Sequence, residues 1–259
     1  MATAVLEAGD VAVRRGRRTI LSHVDLALGG GEAVHLVGPN GSGKTSLLRV
    51  LAGLNVPAAG TLRRPASCAY VPEKVVLSAA MRPGEWLRAM RGLRRLDRVD
   101  WSCAALESGL EPEVLDRPSA TLSQGMLQRI ALLEAVHAGA VLLLLDEPFT
   151  GLDVAGREWL ATQLRRRADA GAAVVLTDHS ADAAALVDLA CVLQLAGGRC
   201  ERLAAASPAR PGPLLVVRAL DPAGRAIERE VARAEVDDVL RDLLAAGCHI
   251  GEVRPVDDA

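Results

Sequence analysis

The feature that most constrains this chain is an octapeptide that fits the pattern G-x-x-x-x-G-K-[ST]: Gly38-Pro39-Asn40-Gly41-Ser42-Gly43-Lys44-Thr45. The mostly apolar residues 33–37 before it predict a buried strand, and residues 46–51 after it predict a helix. Glycines let successive backbone N–H groups point inward as an anion nest, and the following helix adds its positive N-terminal end. The sequence therefore predicts a loop between strand and helix that binds phosphate groups.

Lysine is rare in this chain, and its use at position 44 is informative. Lys44 and Lys74 are the only lysines, so arginine is the usual cation. The planar fork of arginine does not fit a nest that is built for a compact ammonium group. We expect Lys44 to reach the β- and γ-phosphates of a bound ligand, Thr45 to ligate Mg²⁺, and Ser46 to line the same phosphate site. The alternative is a glycine-rich turn that binds nothing.

Composition excludes several classes of protein. The formal net charge of −2 argues against a nucleic-acid binder. No apolar run reaches the roughly 18–20 residues needed to span a bilayer, and the N-terminal residues lack the regions of a signal peptide. The five cysteines form no C-x-x-C pair and are typical of reduced thiols. The sequence thus predicts a cytoplasmic chain without nucleic acid as a partner.

Predicted strands alternate with predicted helices, which indicates an α/β fold with a parallel core sheet and right-handed crossovers. We expect a cassette over residues 1–203, with two antiparallel strands at its start (3–13 and 20–28, joined by a turn at 14–18) and a helical subdomain at about 83–137. The last core strand is predicted near residues 191–195. A linker over 204–212 and a small β-β-α-β appendage over 213–259 are expected to follow, with its helix at 235–246.

A second group of polar residues follows an apolar strand. Residues 142–145 are four leucines, and Asp146 and Glu147 come directly after them. The carboxyl ends of parallel strands form the edge at which ligands bind in α/β sheets. Asp146 is therefore predicted to hold Mg²⁺ through water, and Glu147 to polarise the attacking water. A solvated turn is the alternative. We interpret His35 and His137 as structural.

Five motifs follow one another between residues 3 and 200: GPNGSGKT, LSQGM-LQR, LLLLDEP, GLD and TDH. This order resembles that of the ATP-binding subunit of ABC transporters, and the Leu-Ser-x-Gly signature between the two phosphate motifs is specific to that class. The resemblance implies the P-loop NTPase fold in its ABC-type form, with an antiparallel β subdomain and a helical subdomain. It also implies that two cassettes pack head to tail around two ATP molecules.

The resemblance assigns further residues to the site. Ser123, Gln124 and Gly125 would bind the γ-phosphate of ATP held by the other cassette, through a helix N-terminus. Asp153 would couple the two ATP sites across the dimer. His179 would contact the γ-phosphate and orient the attacking water, although a strand-end histidine without a catalytic role is the alternative.

Two positions depart from the family pattern. Family members place an aromatic ring under adenine, but this chain has no Phe, Tyr or Trp before Tyr70. Arg15 falls near that position, where a guanidinium can stack on a purine, and a solvated charge is the alternative. Glu73 stands where the family has glutamine, and its carboxylate is expected to offer an oxygen to Mg²⁺.

Two functions remain open at the level of sequence. The first is the ATP-hydrolysing motor of a transporter, bound to the inner face of the cell membrane by a membrane-spanning permease subunit on a separate chain. The second is an ABC-type ATPase of a soluble assembly complex. A homodimer is expected in the first case, and Met126 and the C-terminal appendage resemble exporter-type subunits. A GTPase is excluded, because guanine recognition by N-K-x-D needs a lysine that the chain lacks at any fitting position.

Overall fold

A computed structural model describes residues 4–96, 99–178, 191–203, 214–220, 226–232, 239–240, 243–244 and 246–255. The chain divides into two compact units, Met1–Ala206 and Ser207–Ala259. The predicted linker, 204–212, lies outside the described residues, so its position stays a prediction. No helix among the described residues is long and apolar enough to cross a bilayer.

The first unit is built on a six-stranded sheet in the order β5-β6-β7-β3-β8-β9. Its strands are β3 (Ala33–Val37), β5 (Cys68–Val71), β6 (Leu142–Leu145), β7 (Ala173–Thr177), β8 (Cys191–Ala196) and β9 (Arg199–Leu203). The first five strands in that order run parallel, and β9 is antiparallel to β8. Strand β9 was not predicted. Gly197 and Gly198 both have positive φ, which lets the chain reverse there.

The central strands of the sheet are buried on both faces. Leu143 and Leu145 pack into one hydrophobic cluster, with helices α4 (Gln124–His137) and α5 (Val154–Asp169). Leu142 and Leu144 pack into the cluster on the opposite face, with helix α1 (Lys44–Leu51). Fully burying one leucine side chain contributes about 1.5–3 kcal/mol. This explains why β6 reads as a continuous apolar run rather than an alternating one.

A separate antiparallel sheet has the order β2-β1-β4. It consists of β1 (Leu6–Arg15), β2 (Arg18–Leu28) and β4 (Ala59–Arg63). The predicted turn at 14–18 was too long, because Arg14, Arg15 and Arg18 belong to strands. Arg15 pairs with Arg18 across a turn in which Gly16 has φ 61°. Left-handed backbone at a glycine is what allows so tight a reversal.

The first part of the predicted helical subdomain, before α4, is divided into shorter pieces. Helix α2 (Pro83–Arg94) ends where Arg95 adopts a left-handed backbone, and α3 (Trp101–Glu107) begins at an Asp100 cap. Two 3₁₀ turns, Pro112–Asp116 and Ser119–Thr121, then lead to α4. The carboxylate of Asp100 accepts hydrogen bonds from the N–H groups of Ser102 and Cys103, which fixes the start of the new helix.

The second unit contains an antiparallel sheet in the order β11-β10-β12. Its strands are β10 (Leu214–Leu220), β11 (Ala226–Ala232) and β12 (His249–Pro255). The predicted helix at 235–246 is described at residues 239–240 and 243–244, which are helical, and at residue 246, which lies in a turn. Val217 and Ala219 of β10 pack with Leu243 and Cys248 in a small core.

Candidate active site

The octapeptide closes tightly against two strands. Gly38 has φ 156° and Gly43 has φ 106°, conformations that side-chain-bearing residues rarely adopt. A Cβ atom on Gly43 would lie 2.7 Å from the Cγ2 atom of Ile20 in β2, and one on Gly38 would lie 2.5 Å from the carbonyl oxygen of Leu195 in β8. The loop therefore requires glycine at both positions.

The loop directs a cation and helix N–H groups to one place. The side chain of Lys44 is buried, and its Nζ donates to the carbonyl oxygen of Gly38 at 2.7 Å. Helix α1 starts at Lys44 without a side-chain cap, so its first N–H groups are available to a ligand. Thr45 is exposed and Ser46 is half-buried in the same helical turn. This combination of nest, ammonium group and helix N-terminus suits phosphate.

Asp146 and Glu147 lie at the carboxyl edge of the sheet, where β5, β6 and β7 end. The N–H of Asp146 donates to the carbonyl oxygen of Val71 at 2.9 Å. The hydroxyl of Thr177 donates to Asp146 Oδ1 at 2.9 Å and accepts from the N–H of Glu147 at 2.8 Å. One hydroxyl thus fixes both acidic residues. Glu147 itself has φ 51°, a strained backbone of the kind found at functional sites.

Asp146 suits a divalent cation. Its side chain is 1% exposed, and Oδ2 has no hydrogen-bond partner among the described residues. A buried carboxylate oxygen without a partner is costly, and a hard cation offsets that cost. Burial and, secondarily, the negative charge of Asp146 raise the pKa of Tyr70 to about 12, so that tyrosine stays neutral beside the carboxylate. The hydroxyl of Ser42 is likewise buried without a partner among the described residues.

Thr177 was missed by the reasoning from sequence. The feature that could have identified Thr177 is its place in the TDH motif, at the end of β7 and next to β6. Because Asp146 is predicted to hold Mg²⁺, we expect Thr177→Val to lower kcat for ATP hydrolysis by about 10–100-fold, the usual effect of losing a polar group that orients such a residue. Thr177→Ser keeps the hydroxyl and is the control. Steady-state ATPase rates measure the difference, and a wild-type rate in Thr177→Val would contradict the role.

The signature residues lie at the start of α4. Ser123 caps the helix, its Oγ accepting from the N–H of Met126 at 3.2 Å. The side-chain amide of Gln124 donates to the carbonyl oxygen of Val75 at 3.3 Å, which joins the signature to the segment after β5. A Cβ atom on Gly125 would lie 2.9 Å from the carbonyl oxygen of Gly151. The signature is therefore packed against two loops of its own chain.

Asp153 caps helix α5. Its Oδ1 accepts from the N–H of Gly156 at 2.8 Å and from Arg129 at 2.9 Å. The Gly156 N–H and then the Arg129 charge hold the pKa of Asp153 below its usual range. The carboxylate is therefore ionised at neutral pH, and its side chain is 67% exposed.

The remaining predicted residues lie in different surroundings. Arg15 is exposed at the end of β1, and Glu73 is exposed two residues after the end of β5. His179 lies outside the described residues. His35 is buried in β3, and burial lowers its pKa, in keeping with a neutral side chain in the sheet interior.

P-loop nucleoside triphosphatases are defined by two features that are present here: a glycine-rich loop between a strand and a helix (β3 and α1), and carboxylates at the end of a second strand (β6). The sequence model of the ABC transporter family matches residues 21–150. The chain belongs to this family and is an ABC-type ATPase. The predicted ABC-cassette fold is thereby confirmed.

Two relatives illustrate the range of similar proteins. The chain is 41% identical over 174 residues to the cytochrome c biogenesis ATP-binding export protein CcmA of Novosphingobium aromaticivorans. The matched region covers 67% of this chain and 88% of that protein. The chain is also 40% identical over 178 residues to the zinc import ATP-binding protein ZnuC of Cereibacter sphaeroides. That match covers 68% of this chain and 72% of the relative. One relative is named for export and the other for import.

A solved structure is also similar. The structure described as an ATP binding subunit of an ABC transporter superimposes with a TM-score of 0.70 and is 26% identical, covering 77% of this chain and 90% of the other. The chain is thus an ATP-binding subunit of the ABC transporter type.

Proposed function

We propose that this chain is the ATP-hydrolysing motor of an exporter-type ABC transporter, working as a homodimer. One observation carries the proposal. The phosphate loop and the carboxylates share one edge of the core sheet, whereas Ser123 and Gln124 lie exposed at the start of a helix packed on other loops. The N-terminal N–H groups of a helix bind anions. A second copy of the chain would therefore supply them to the ATP held by the first.

We assign the remaining roles within this site as follows. Residues 38–46 surround the phosphates of ATP, which are held by the ammonium of Lys44 and by the backbone N–H groups of the loop, Pro39 having none. Thr45 and Glu73 would offer oxygen ligands to Mg²⁺ and Asp146 would hold it through water, and the cation would neutralise charge on the phosphates. Glu147 accepts a proton from the attacking water, and His179 orients that water. Arg15 stacks on adenine.

Export is the proposed direction. The name of the CcmA relative includes export, and the residue Met126 together with the C-terminal unit fits exporter-type subunits. The proposed location is the inner face of the cell membrane, through a permease on a separate chain. Leu93 of α2 is 78% exposed, and Val76 in the segment before α2 is 85% exposed, which supports a protein contact at or beside the helical part of the cassette.

The experiment is reconstitution with the membrane protein that co-purifies with the chain. In proteoliposomes with the chain facing outward, an exporter takes its cargo from the side to which ATP is added. A cell extract added to that side is expected to stimulate ATP hydrolysis. Stimulation only from the lumenal side would reverse the direction, and co-purification with soluble proteins alone would favour an assembly ATPase.

Glu73 is expected to couple ATP hydrolysis to the permease. Glu73→Gln should change basal ATPase activity by less than about tenfold, or 1.4 kcal/mol, because the amide also offers an oxygen. Glu73→Ala should mainly lose stimulation by the reconstituted membrane subunit. ATPase rates of both variants, alone and with that subunit, measure this. Equal stimulation of wild type and Glu73→Ala would leave Glu73 as an ordinary surface charge.

A further inference from the structure

Arg129 of α4 connects three segments of the chain from a buried position. Only 7% of the residue is exposed. One guanidinium nitrogen donates to the carbonyl oxygens of Ser108 at 2.9 Å and Gly109 at 3.2 Å, at the end of α3. The other donates to Asp153 Oδ1 at 2.9 Å. The planar fork of arginine can satisfy both sides at once.

The surroundings of this guanidinium contain two glycines that leave room for it. A Cβ atom on Gly109 would lie 2.8 Å from one nitrogen of Arg129, and a Cβ atom on Gly156 would lie 2.6 Å from the other. Gly109 also has φ 82°, which favours glycine in its own right. The end of α3 and the first turn of α5 therefore both accommodate the same side chain.

A second contact joins the same segments. Gly125 lies one helical turn before Arg129 on α4, and the carbonyl oxygen of Gly151 lies so close to it that a Cβ atom would approach to 2.9 Å. The start of α4 thus contacts the loop at residues 151–153 at two points, Gly125 on Gly151 and Arg129 on Asp153. Two contacts restrict the orientation of α4 relative to this loop more than a single contact would.

We infer that Arg129 is a positioning residue for the half of the ATP site that one copy offers to the other. It holds the ionised carboxylate of Asp153 in a fixed place relative to Ser123 and Gly125, so that the signature and Asp153 reach the second cassette as one body. The inference rests on the proposed function, because it gives the signature and Asp153 their role in the dimer.

Arg129 is expected to affect the association of two cassettes and not the binding of nucleotide by one. ATP binds the phosphate loop of one monomer, to which Arg129 contributes nothing. The ATP-driven association of two cassettes depends on the placement of Ser123 and Asp153, to which Arg129 contributes directly. Loss of Arg129 should therefore weaken association while leaving nucleotide binding by the monomer unchanged.

The test uses the full chain with Glu147→Gln, which slows hydrolysis and retains ATP. Arg129→Met in this chain is expected to raise the dissociation constant of the ATP-driven dimer by about tenfold, or 1.4 kcal/mol. Arg94→Met is the matched control, because Arg94 makes a 2.7 Å ion pair with Glu134 and has a 22% exposed side chain, but does not contact Asp153. Sedimentation in the presence of ATP measures both dissociation constants, and a fluorescent ATP analogue measures nucleotide affinity.

A double-mutant cycle separates positioning from general stability. Asp153→Asn keeps the helix cap and removes the ion pair. If Arg129 acts through Asp153, Arg129→Met should add little in the Asp153→Asn chain. A full additional loss there, or an Arg129→Met dimer no weaker than that of Arg94→Met, would overturn the inference.

The test also depends on whether Arg129→Met folds and on whether Glu147→Gln forms a dimer with ATP. If Arg129→Met does not fold, as judged by thermal unfolding, Arg129→Lys replaces it, with Arg94→Lys as control. Lysine keeps the charge but lacks the fork, so weaker dimerisation in Arg129→Lys than in its control supports the inference, and equal dimerisation overturns it. If Glu147→Gln itself forms no dimer with ATP, the proposed function fails, and this inference fails with it.

Discussion

Replacing Glu147 by glutamine is expected to preserve ATP binding and to reduce turnover by about 10²–10⁴-fold, the usual contribution of a general base. The amide has nearly the shape of the carboxylate but cannot accept a proton from water. The backbone N–H of residue 147 would still donate to Thr177 Oγ1, as it does at 2.8 Å in the native chain. The fold should therefore tolerate the change.

Single-turnover hydrolysis and dimer formation with ATP measure the effect. Unhydrolysed ATP should accumulate in a stable dimer of the variant. Glu158→Gln is the control, because Glu158 is exposed on α5, and its turnover should equal that of wild type. An unchanged rate in Glu147→Gln would assign the base to another residue.

Replacing Lys44 by alanine is expected to weaken ATP binding itself by about 10–100-fold. Hydrogen bonds to charged groups contribute about 1.5–3 kcal/mol, and Lys44 is the cation that we propose faces the β- and γ-phosphates. The variant also loses the 2.7 Å hydrogen bond to the carbonyl oxygen of Gly38, so the empty loop should become less ordered.

The chain offers its own control for this result. Lys74 is the only other lysine, and it is exposed. Lys74→Ala removes the same charge outside the octapeptide and should keep wild-type affinity. Titration calorimetry with ATP compares the two variants. Native affinity in Lys44→Ala would contradict the assignment of the phosphate loop.

The octapeptide lies between a strand and a helix, and the two carboxylates follow a buried strand, as predicted, because contiguous residues encode both positions. The octapeptide carries its own loop conformation, because its glycines permit the backbone and the flanking residues form β3 and α1. The position of Asp146 and Glu147 followed from one apolar run, since a strand buried on both faces must end at the edge of the sheet.

The parts that were missed depend on residues far apart in the chain. Thr177 acts on Asp146 and Glu147 only because β6 and β7 are neighbours, and no local pattern encodes that pairing. Arg129 meets Asp153 because α4 packs beside the start of α5, which no local pattern encodes either. The break between α2 and α3 was missed because Arg95 adopts a left-handed backbone that its residue type does not favour.

The backbone of Glu147 has a consequence for how this chain can change. A left-handed residue with a side chain costs about 1–2 kcal/mol, a cost that glycine does not bear. Glycine at position 147 would relieve that strain and remove the carboxylate together. The chain therefore keeps a glutamate where the backbone alone would favour glycine, which is expected if its carboxylate takes part in hydrolysis as proposed.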